Sequence, residues 1–185
     1  MYPLVFLHLS YANSNKMLLK GKNMKCLIFS DSHGSPFYMS KALKLHRDAE
    51  VVFFLGDGLS DAEELAQFDG ERMWIAVRGN CDFKTCFRDR PVMKSEEIVL
   101  EGRKIFATHG DLYSVKLGLE NIKNLANMRE VDIVLFGHTH IPREEYVDGA
   151  HPFYLFNPGS ISKPNYTYGI LTLTQKSVLF SHGKF

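Results

Sequence analysis

Five short apolar runs, separated by stretches with helical spacing, constrain the fold of this chain more than any other feature. They are continuous rather than alternating, and they lie at 25–29, 51–55, 73–77, 104–108 and 132–136. A strand that is apolar at every position is buried on both faces, as parallel strands covered by helices are. The first two thirds of the chain are therefore predicted to form α/β structure with largely parallel strands.

The segments between these runs contain helix signals. Ser35 followed by Pro36 predicts a helix start after the first run. Ser60, with Glu63 three residues later, predicts a capping box after the second run. After the fourth run, one helix face is predicted from apolar residues at helical spacing: Val115, Leu119, Ile122 and Ala126.

The pattern changes after residue 136. "REEYV", "FYLFN", "YGILTLT" and "SVLFS" are short and are separated by Gly, Pro and Asn, which predicts a more antiparallel, β-rich part. Two packed mixed β-sheets with helices outside would accommodate both parts. With 185 residues, 45% of them hydrophobic, and no internal repeat, the chain is predicted to form one domain at 24–185. Residues 1–23 are predicted to be a poorly packed extension rather than a secretory signal, because no basic residue precedes "PLVFLHL".

Polar residues follow each of the five runs. They are Asp31 and His33, then Asp57, Asn80 and His109, and finally His138 and His140. Loops beyond the carboxyl ends of the strands of an open α/β sheet line one crevice, so these seven side chains are predicted to converge. Carboxylates, imidazoles and an amide crowded near a core are costly unless cations compensate them. Seven ligands exceed one tetrahedral centre, whereas two divalent cations about 4 Å apart, sharing a carboxylate, would use them all.

These motifs together resemble a known family. "DSH", "GDG", "GNCD", "THGD" and "GHTH" stand within residues 24–160 in the order found in the calcineurin-like metallophosphoesterases. The compact size, "RGNCD" and "NPGS" are similar to the small single-domain phosphodiesterase branch of that family. The resemblance implies an α/β fold in which two packed mixed β-sheets are flanked by helices, a four-layer α-β-β-α sandwich.

The resemblance also implies a ligand assignment and a reaction. One cation would be held by Asp31, His33, Asp57 and His140. The second would be held by Asp57, Asn80, His109 and His138, with Asp57 bridging the two. Mn²⁺ is the expected metal, and Fe, Ni²⁺ or Zn²⁺ are alternatives. The implied reaction is hydrolysis of a phosphate ester, a diester above all, by in-line attack of a hydroxide activated by both metals.

Cys81 departs from the family pattern, in which many members carry a histidine directly after the asparagine. That histidine is able to protonate the leaving oxygen, whereas an ordinary thiol, with a pKa of about 8.5, is a less obvious acid near neutrality. Two interpretations stay open: Cys81 shapes the pocket or assists weakly, or it is an inert small residue. Arg78 is a candidate contact for the substrate phosphate, with a surface or supporting role as the alternative. "NPGS" is interpreted either as a tight turn or as the rim of the site.

Composition limits the partners. The formal charge of +1 gives no basic surface for nucleic acid, and no apolar stretch reaches the roughly 18 residues that a membrane span needs. Three cysteines form no disulfide framework, which favours a reducing compartment, the cytoplasm. A small phosphate ester is the expected substrate, and homo-oligomerisation is left open.

Other functions compete with this one. A phosphomonoesterase or nuclease of the same fold is the nearest alternative. A catalytically silent scaffold is another, because the implied fold also resembles that of a trafficking-coat subunit that binds partners. The presence of all seven ligand residues argues against the scaffold.

Overall fold

The computed structural model describes residues 23–185. The extension predicted at 1–23 therefore lies outside the described residues, except for its last residue. In the described part, the first strands and helices alternate as β1 (Met24–Phe29), α1 (Phe37–Leu45), β2 (Val51–Phe54), α2 (Leu59–Phe68) and β3 (Met73–Ala76). The next elements are β4 (Cys86–Phe87), β5 (Arg90–Pro91), β6 (Ser95–Leu100), β7 (Arg103–Thr108), α3 (Glu120–Arg129) and β8 (Ile133–Phe136). The last four strands are β9 (Arg143–Val147), β10 (Phe153–Asn157), β11 (Thr167–Leu173) and β12 (Val178–Lys184).

Two five-stranded mixed sheets form the centre of the described domain. The first has the order β12-β11-β1-β2-β3, with β1, β2 and β3 parallel and β11 and β12 antiparallel to their neighbours. The second has the order β6-β7-β8-β10-β9, with β7, β8 and β10 parallel and both edge strands antiparallel. A short β4–β5 hairpin stands apart from both sheets.

Side-chain alternation along each strand divides the core into layers. Cys26 and Ile28 of β1 pack with Ile133 and Leu135 of β8, so the two sheets face each other. Leu27 and Phe29, which point the opposite way along β1, pack in a second cluster with residues of α1 and α2. The outer face of the second sheet packs against α3 in a third cluster. The four-layer α-β-β-α sandwich predicted from the sequence is confirmed.

The predicted helix boundaries were less accurate. Helix α1 begins at Phe37, one residue later than the Ser35–Pro36 signal implied. The prediction of a capping box at Ser60 was wrong, because α2 already begins at Leu59 and Gly58 occupies the N-cap position. Glu63 instead accepts a hydrogen bond from the backbone N–H of Arg88. Hydrogen bonds to residues that follow β3 thus take the place of the local cap.

The apolar face predicted after the fourth run is buried or partly buried, but it is not all helical. Ile122 and Ala126 lie on α3, whereas Val115 precedes the helix and Leu119 occupies its N-cap position. All four pack in the same cluster against the second sheet. None of the described helices is long and apolar enough to cross a membrane.

Candidate metal centre

The seven predicted ligands all lie in loops at the carboxyl ends of parallel strands. Asp31 and His33 follow β1, Asp57 follows β2, and Asn80 follows β3. His109 follows β7 of the second sheet, and His138 and His140 follow β8. The contacts between these loops show that the two sheets bring their carboxyl ends to one place.

Most of these residues have an unusual backbone conformation. Five of the seven are non-glycine residues with positive φ, between 47° and 67°: Asp31, His33, Asp57, His138 and His140. Left-handed backbone is uncommon for such residues and costs free energy. It turns each loop sharply as its strand ends, and strain of this kind is concentrated at functional sites.

The first cluster of donor atoms consists of Asp31, His33 and His140. Asp31 Oδ1 lies 3.1 Å from His140 Nε2 and 3.8 Å from His33 Nε2. The two Nε2 atoms are 3.3 Å apart. The loop after β1 therefore meets the loop after β8 from the opposite sheet.

The second cluster is centred on His109. Its Nε2 atom lies 3.3 Å from Asp57 Oδ2, 3.1 Å from His138 Nδ1 and 3.1 Å from Asn80 Oδ1. The members come from β2, β3, β7 and β8, so this cluster also depends on both sheets. The side-chain oxygen of Asn80, rather than its nitrogen, is directed at the cluster.

Asp57 connects the two clusters. Its carboxylate belongs to the His109 cluster and also to a group with His33 and Cys81, whose potential ligand atoms all lie within 4.8 Å of one another. His33 in turn belongs to the first cluster. The carboxylate of Asp57 therefore links the His109 cluster, through His33, to the cluster of Asp31 and His140.

The buried residues of the centre form its floor, and the others open to solvent. Asp31, Asp57 and His109 are buried, whereas His33, Asn80 and Cys81 are exposed and His138 and His140 are half-buried. A ligand can approach the open side, while the buried donors are held by the protein.

A backbone contact determines the tautomer of the neutral His109 ring. Its Nδ1 atom lies 2.7 Å from the carbonyl oxygen of Leu55, which can only accept, so Nδ1 carries a proton and donates it. In the neutral ring, Nε2 is then unprotonated and directs its lone pair toward the cluster. This is the arrangement by which proteins orient histidines that bind metals.

The charges of the centre shift its pKa values. Burial raises the pKa of the Asp57 carboxyl, but the hydrogen bond and charge of His109 lower it more, so the net pKa lies well below the ordinary value. Burial lowers the pKa of His109, yet its hydrogen bond to Asp57 and the charges of Asp31 and Asp57 raise it overall. Burial, followed by the charge of His109, lowers the pKa of His138. A hydrogen bond to Asp57 and then burial raise the pKa of the Cys81 thiol.

Asp82 supports two of the loops that carry candidate ligands. The sequence motifs did not predict this role. Its carboxylate accepts hydrogen bonds from the backbone N–H groups of Asp57, Gly58, Leu59 and Gly79, at 2.8–2.9 Å. These bonds tie the loop after β2 to the loop after β3 and satisfy the first amides of α2. The only signal in the sequence was its place in "GNCD", which does not reveal the contacts.

The "NPGS" segment lies beneath the site rather than at its rim. Asn157, Gly159 and Ser160 are all buried. Asn157 Nδ2 donates to the carbonyl oxygen of Gly137 at 2.8 Å, and Ser160 Oγ donates to that of Asp31 at 2.9 Å. The segment therefore supports the loops that carry the histidines and Asp31.

Arg78 is not placed against the candidate ligands by any contact among the described residues. Arg78 is half-buried, and its backbone N–H donates to the carbonyl oxygen of Met93 at 2.8 Å. Its Nε atom is buried and has no hydrogen-bond partner within residues 23–185. A role in binding the substrate phosphate stays a prediction.

The donor set fits divalent cations. Asp31 Oδ1 is buried and has no hydrogen-bond partner in the described part of the chain, although two imidazoles face it. Buried carboxylate oxygens are rarely left unpaired, and a cation among these groups would compensate it. Carboxylate, imidazole and amide oxygen donors suit borderline and hard metals.

Comparison with known families gives a match over most of the chain. The family described as "Calcineurin-like phosphoesterase superfamily domain" matches residues 24–176. The Probable metallophosphoesterase YsnB of Bacillus subtilis is 35% identical over 154 residues, covering 81% of this chain and 85% of that protein. Phosphodiesterase YfcE of Escherichia coli K12 is 31% identical over 178 residues, covering 84% of this chain and 91% of that protein.

Solved structures show the same fold at lower sequence identity. A conserved uncharacterised protein of Streptococcus pneumoniae TIGR4 superposes with a TM-score of 0.70 at 23% identity, covering 88% of this chain and 90% of that one. Vacuolar Protein Sorting 29 of Cryptosporidium parvum superposes with a TM-score of 0.68 at 16% identity, covering 88% of this chain and 99% of that one. At these identities the likeness concerns the fold alone.

Proposed function

The chain belongs to the calcineurin-like phosphoesterase superfamily, and on that premise we propose that it is a phosphodiesterase that depends on two divalent cations. The observation that carries the proposal is the position of Asp57 between two donor clusters drawn from both sheets. One cation is assigned to Asp31, His33, Asp57 and His140. The other is assigned to Asp57, Asn80, His109 and His138. Manganese is the proposed metal, with iron, nickel or zinc as alternatives.

The cations would supply a water of lowered pKa and positive charge for the phosphoryl oxygens. The residues of the chain hold the geometry for that chemistry. The Leu55 carbonyl fixes the His109 ring, and the low pKa of Asp57 keeps its carboxylate charged at neutral pH. No nucleophilic side chain, and no covalent enzyme intermediate, is required.

The open side of the centre is where the substrate is proposed to bind. Asn80 and Cys81 are exposed there beside the half-buried His138 and His140. A small phosphodiester fits this proposal better than nucleic acid, because the chain has 22 basic and 21 acidic residues and no net excess to attract a polyanion. Phosphodiesterase YfcE, named for this reaction, supports the same choice. A cytoplasmic location is proposed with it.

The scaffold alternative has one observation in its favour, the fold shared with Vacuolar Protein Sorting 29. Fold alone does not determine activity. The seven donors and their converging geometry favour the enzyme, because a binding surface would not need strained backbone at three strand ends and buried carboxylates at two.

The proposal is tested by metal analysis of protein purified without chelator, followed by hydrolysis of aryl phosphodiesters and monoesters with Mn²⁺, Ni²⁺ and Zn²⁺. We expect metal-dependent turnover with the diester as the better substrate. Asn80→Ala and His138→Ala should each lower turnover by roughly 100-fold or more while keeping the fold, as measured by circular dichroism. Asn124→Ala, exposed on α3, is the matched control and should retain wild-type turnover. Wild-type rates in both site variants would contradict the assignment of the second cation.

A further inference from the structure

The Cys81 thiol lies close to two of the candidate metal ligands. Its sulfur is within 4.8 Å of a potential ligand atom of both His33 and Asp57. The backbone N–H of Cys81 donates to Asp57 Oδ1 at 2.8 Å, and Asn80 Nδ2 lies 3.2 Å from the sulfur. The residue is therefore anchored at its backbone, with its sulfur directed at two groups that are proposed to bind metal.

A second observation concerns His33, which is one of these two groups. Asp31 is fully buried, and its Oδ1 atom has no hydrogen-bond partner among the described residues. That atom faces His33 Nε2 at 3.8 Å. Because His33 belongs both to the Asp31 cluster and to the group with Cys81, the unpaired oxygen and the thiol flank the same imidazole.

We propose that the sulfur of Cys81 is a direct ligand of the cation assigned to Asp31, His33, Asp57 and His140. This inference rests on the metal centre proposed above, and it adds a ligand that the seven-residue set does not contain. Binding would form a bond from sulfur to the metal and break the S–H bond, and the thiol proton would pass to solvent.

A thiolate changes which cation the centre prefers. Sulfur is a soft ligand that favours zinc and cobalt, whereas oxygen ligands suit manganese. With Cys81 bound, the centre would bind a thiophilic cation more tightly, relative to Mn²⁺, than the seven-residue set alone would. A sulfur held by the cation also does not donate a proton to the leaving oxygen, so this role differs from both interpretations that the sequence left open.

Cobalt is the probe that tests the proposal without relying on turnover. Titration of the metal-free protein with Co²⁺ should produce ligand-field bands in the visible range and a thiolate-to-cobalt charge-transfer band in the near ultraviolet. Cys81→Ser should keep the visible bands and lose the ultraviolet band. Its affinity for Co²⁺ should fall by about tenfold or more, with a smaller change for Mn²⁺, since even supporting residues of metal sites contribute that much.

Cys86 provides the matched control, because it is also a free and exposed cysteine. Cys86→Ser should retain the ultraviolet band and the cobalt affinity. In the wild-type protein, Co²⁺ should slow alkylation of Cys81 and leave that of Cys86 unchanged, as measured on peptides by mass spectrometry.

The outcomes separate this inference from the proposed function. Visible cobalt bands without an ultraviolet band, or equal protection of both cysteines, would overturn the sulfur ligand and leave the metal centre in place. Failure of the protein to bind cobalt, manganese or zinc at all would overturn both. An ultraviolet band that survives in Cys81→Ser would assign the sulfur to another residue and reject Cys81.

Discussion

Asp82 shows how one side chain outside the proposed ligand set can determine the geometry of the site. It accepts four backbone hydrogen bonds that join the loops after β2 and β3, and one of the four amides is that of Asp57. A ligand oxygen is placed only as accurately as the backbone that carries it. Asp82 is therefore a positioning residue for Asp57 and for the start of α2.

Asp82→Ala should lower the free energy of unfolding by about 2–4 kcal/mol, because four backbone amides, three of them in buried residues, lose a charged acceptor. The same change should weaken metal binding, since Asp57 and Gly79 are no longer held together. Urea unfolding and cobalt titration measure the two effects. Asp148→Ala removes an exposed carboxylate that, among residues 23–185, accepts a hydrogen bond only from the next amide, and it should change stability by less than about 0.5 kcal/mol. An unchanged urea midpoint in Asp82→Ala would refute the positioning role.

The pKa of His109 predicts how metal binding depends on pH. Its pKa is raised above the ordinary value of 6.5, whereas that of His138 is lowered and Asp57 stays charged. A proton on Nε2 of His109 competes with the metal, so affinity should fall as pH is lowered, and the fall should begin above pH 6.5. Cobalt titration calorimetry between about pH 6 and pH 8, in buffers with different heats of ionisation, should show proton release. An affinity that is constant over this range would contradict the prediction.

At the scale of the elements, the loops that follow the parallel strands approach one another so closely that a side chain would not fit at two glycine positions. A Cβ atom on Gly79 would overlap the Asp57 carboxylate and backbone, and one on Gly137 would overlap the Ser30 hydroxyl. Both glycines stand in the motifs "GN" and "GHTH", directly before proposed ligands. Their lack of a side chain is what lets loops from different strands lie in contact.

Gly79→Ala should therefore separate the loop after β3 from Asp57 and lower cobalt affinity by about tenfold or more. Gly70→Ala is the matched control, because nothing lies within 4 Å of a Cβ atom at that position. The control should bind cobalt as the wild type does and be equally stable or slightly more so. Equal cobalt affinities in the two variants would show that the close approach is not needed.

The helix termini illustrate what local sequence signals miss. The Ser60–Glu63 spacing fits a capping box, yet α2 begins one residue earlier and its first amides donate to Asp82. The acceptor lies 24 and 23 positions away from these amides, and periodicity within a short window carries no information about it.

At the scale of the whole molecule, the domain boundary at Met24 stays a prediction. Met24 opens β1, which is central in its sheet between β2 and β11. A chain that begins at Met24 should therefore unfold at the same temperature as the full chain and bind cobalt equally well. Thermal unfolding and cobalt titration of both proteins measure this. A lower unfolding temperature for the shorter protein would show that residues 1–23 stabilise the domain.

The sequence by itself determined the layered α/β architecture and which residue types gather at the strand ends. Continuous apolar runs must be buried on both faces, and loops beyond the carboxyl ends of parallel strands line one crevice, so the sequence predicts that Asp31, Asp57 and His109 lie close together. Only the tertiary structure decided that Asp82, Asn157 and Ser160 hold those loops, and that the Cys81 sulfur lies beside His33 and Asp57. The reason is physical: burial periodicity is a local property of the chain, whereas the hydrogen bonds that fix a site join residues separated by up to 129 positions.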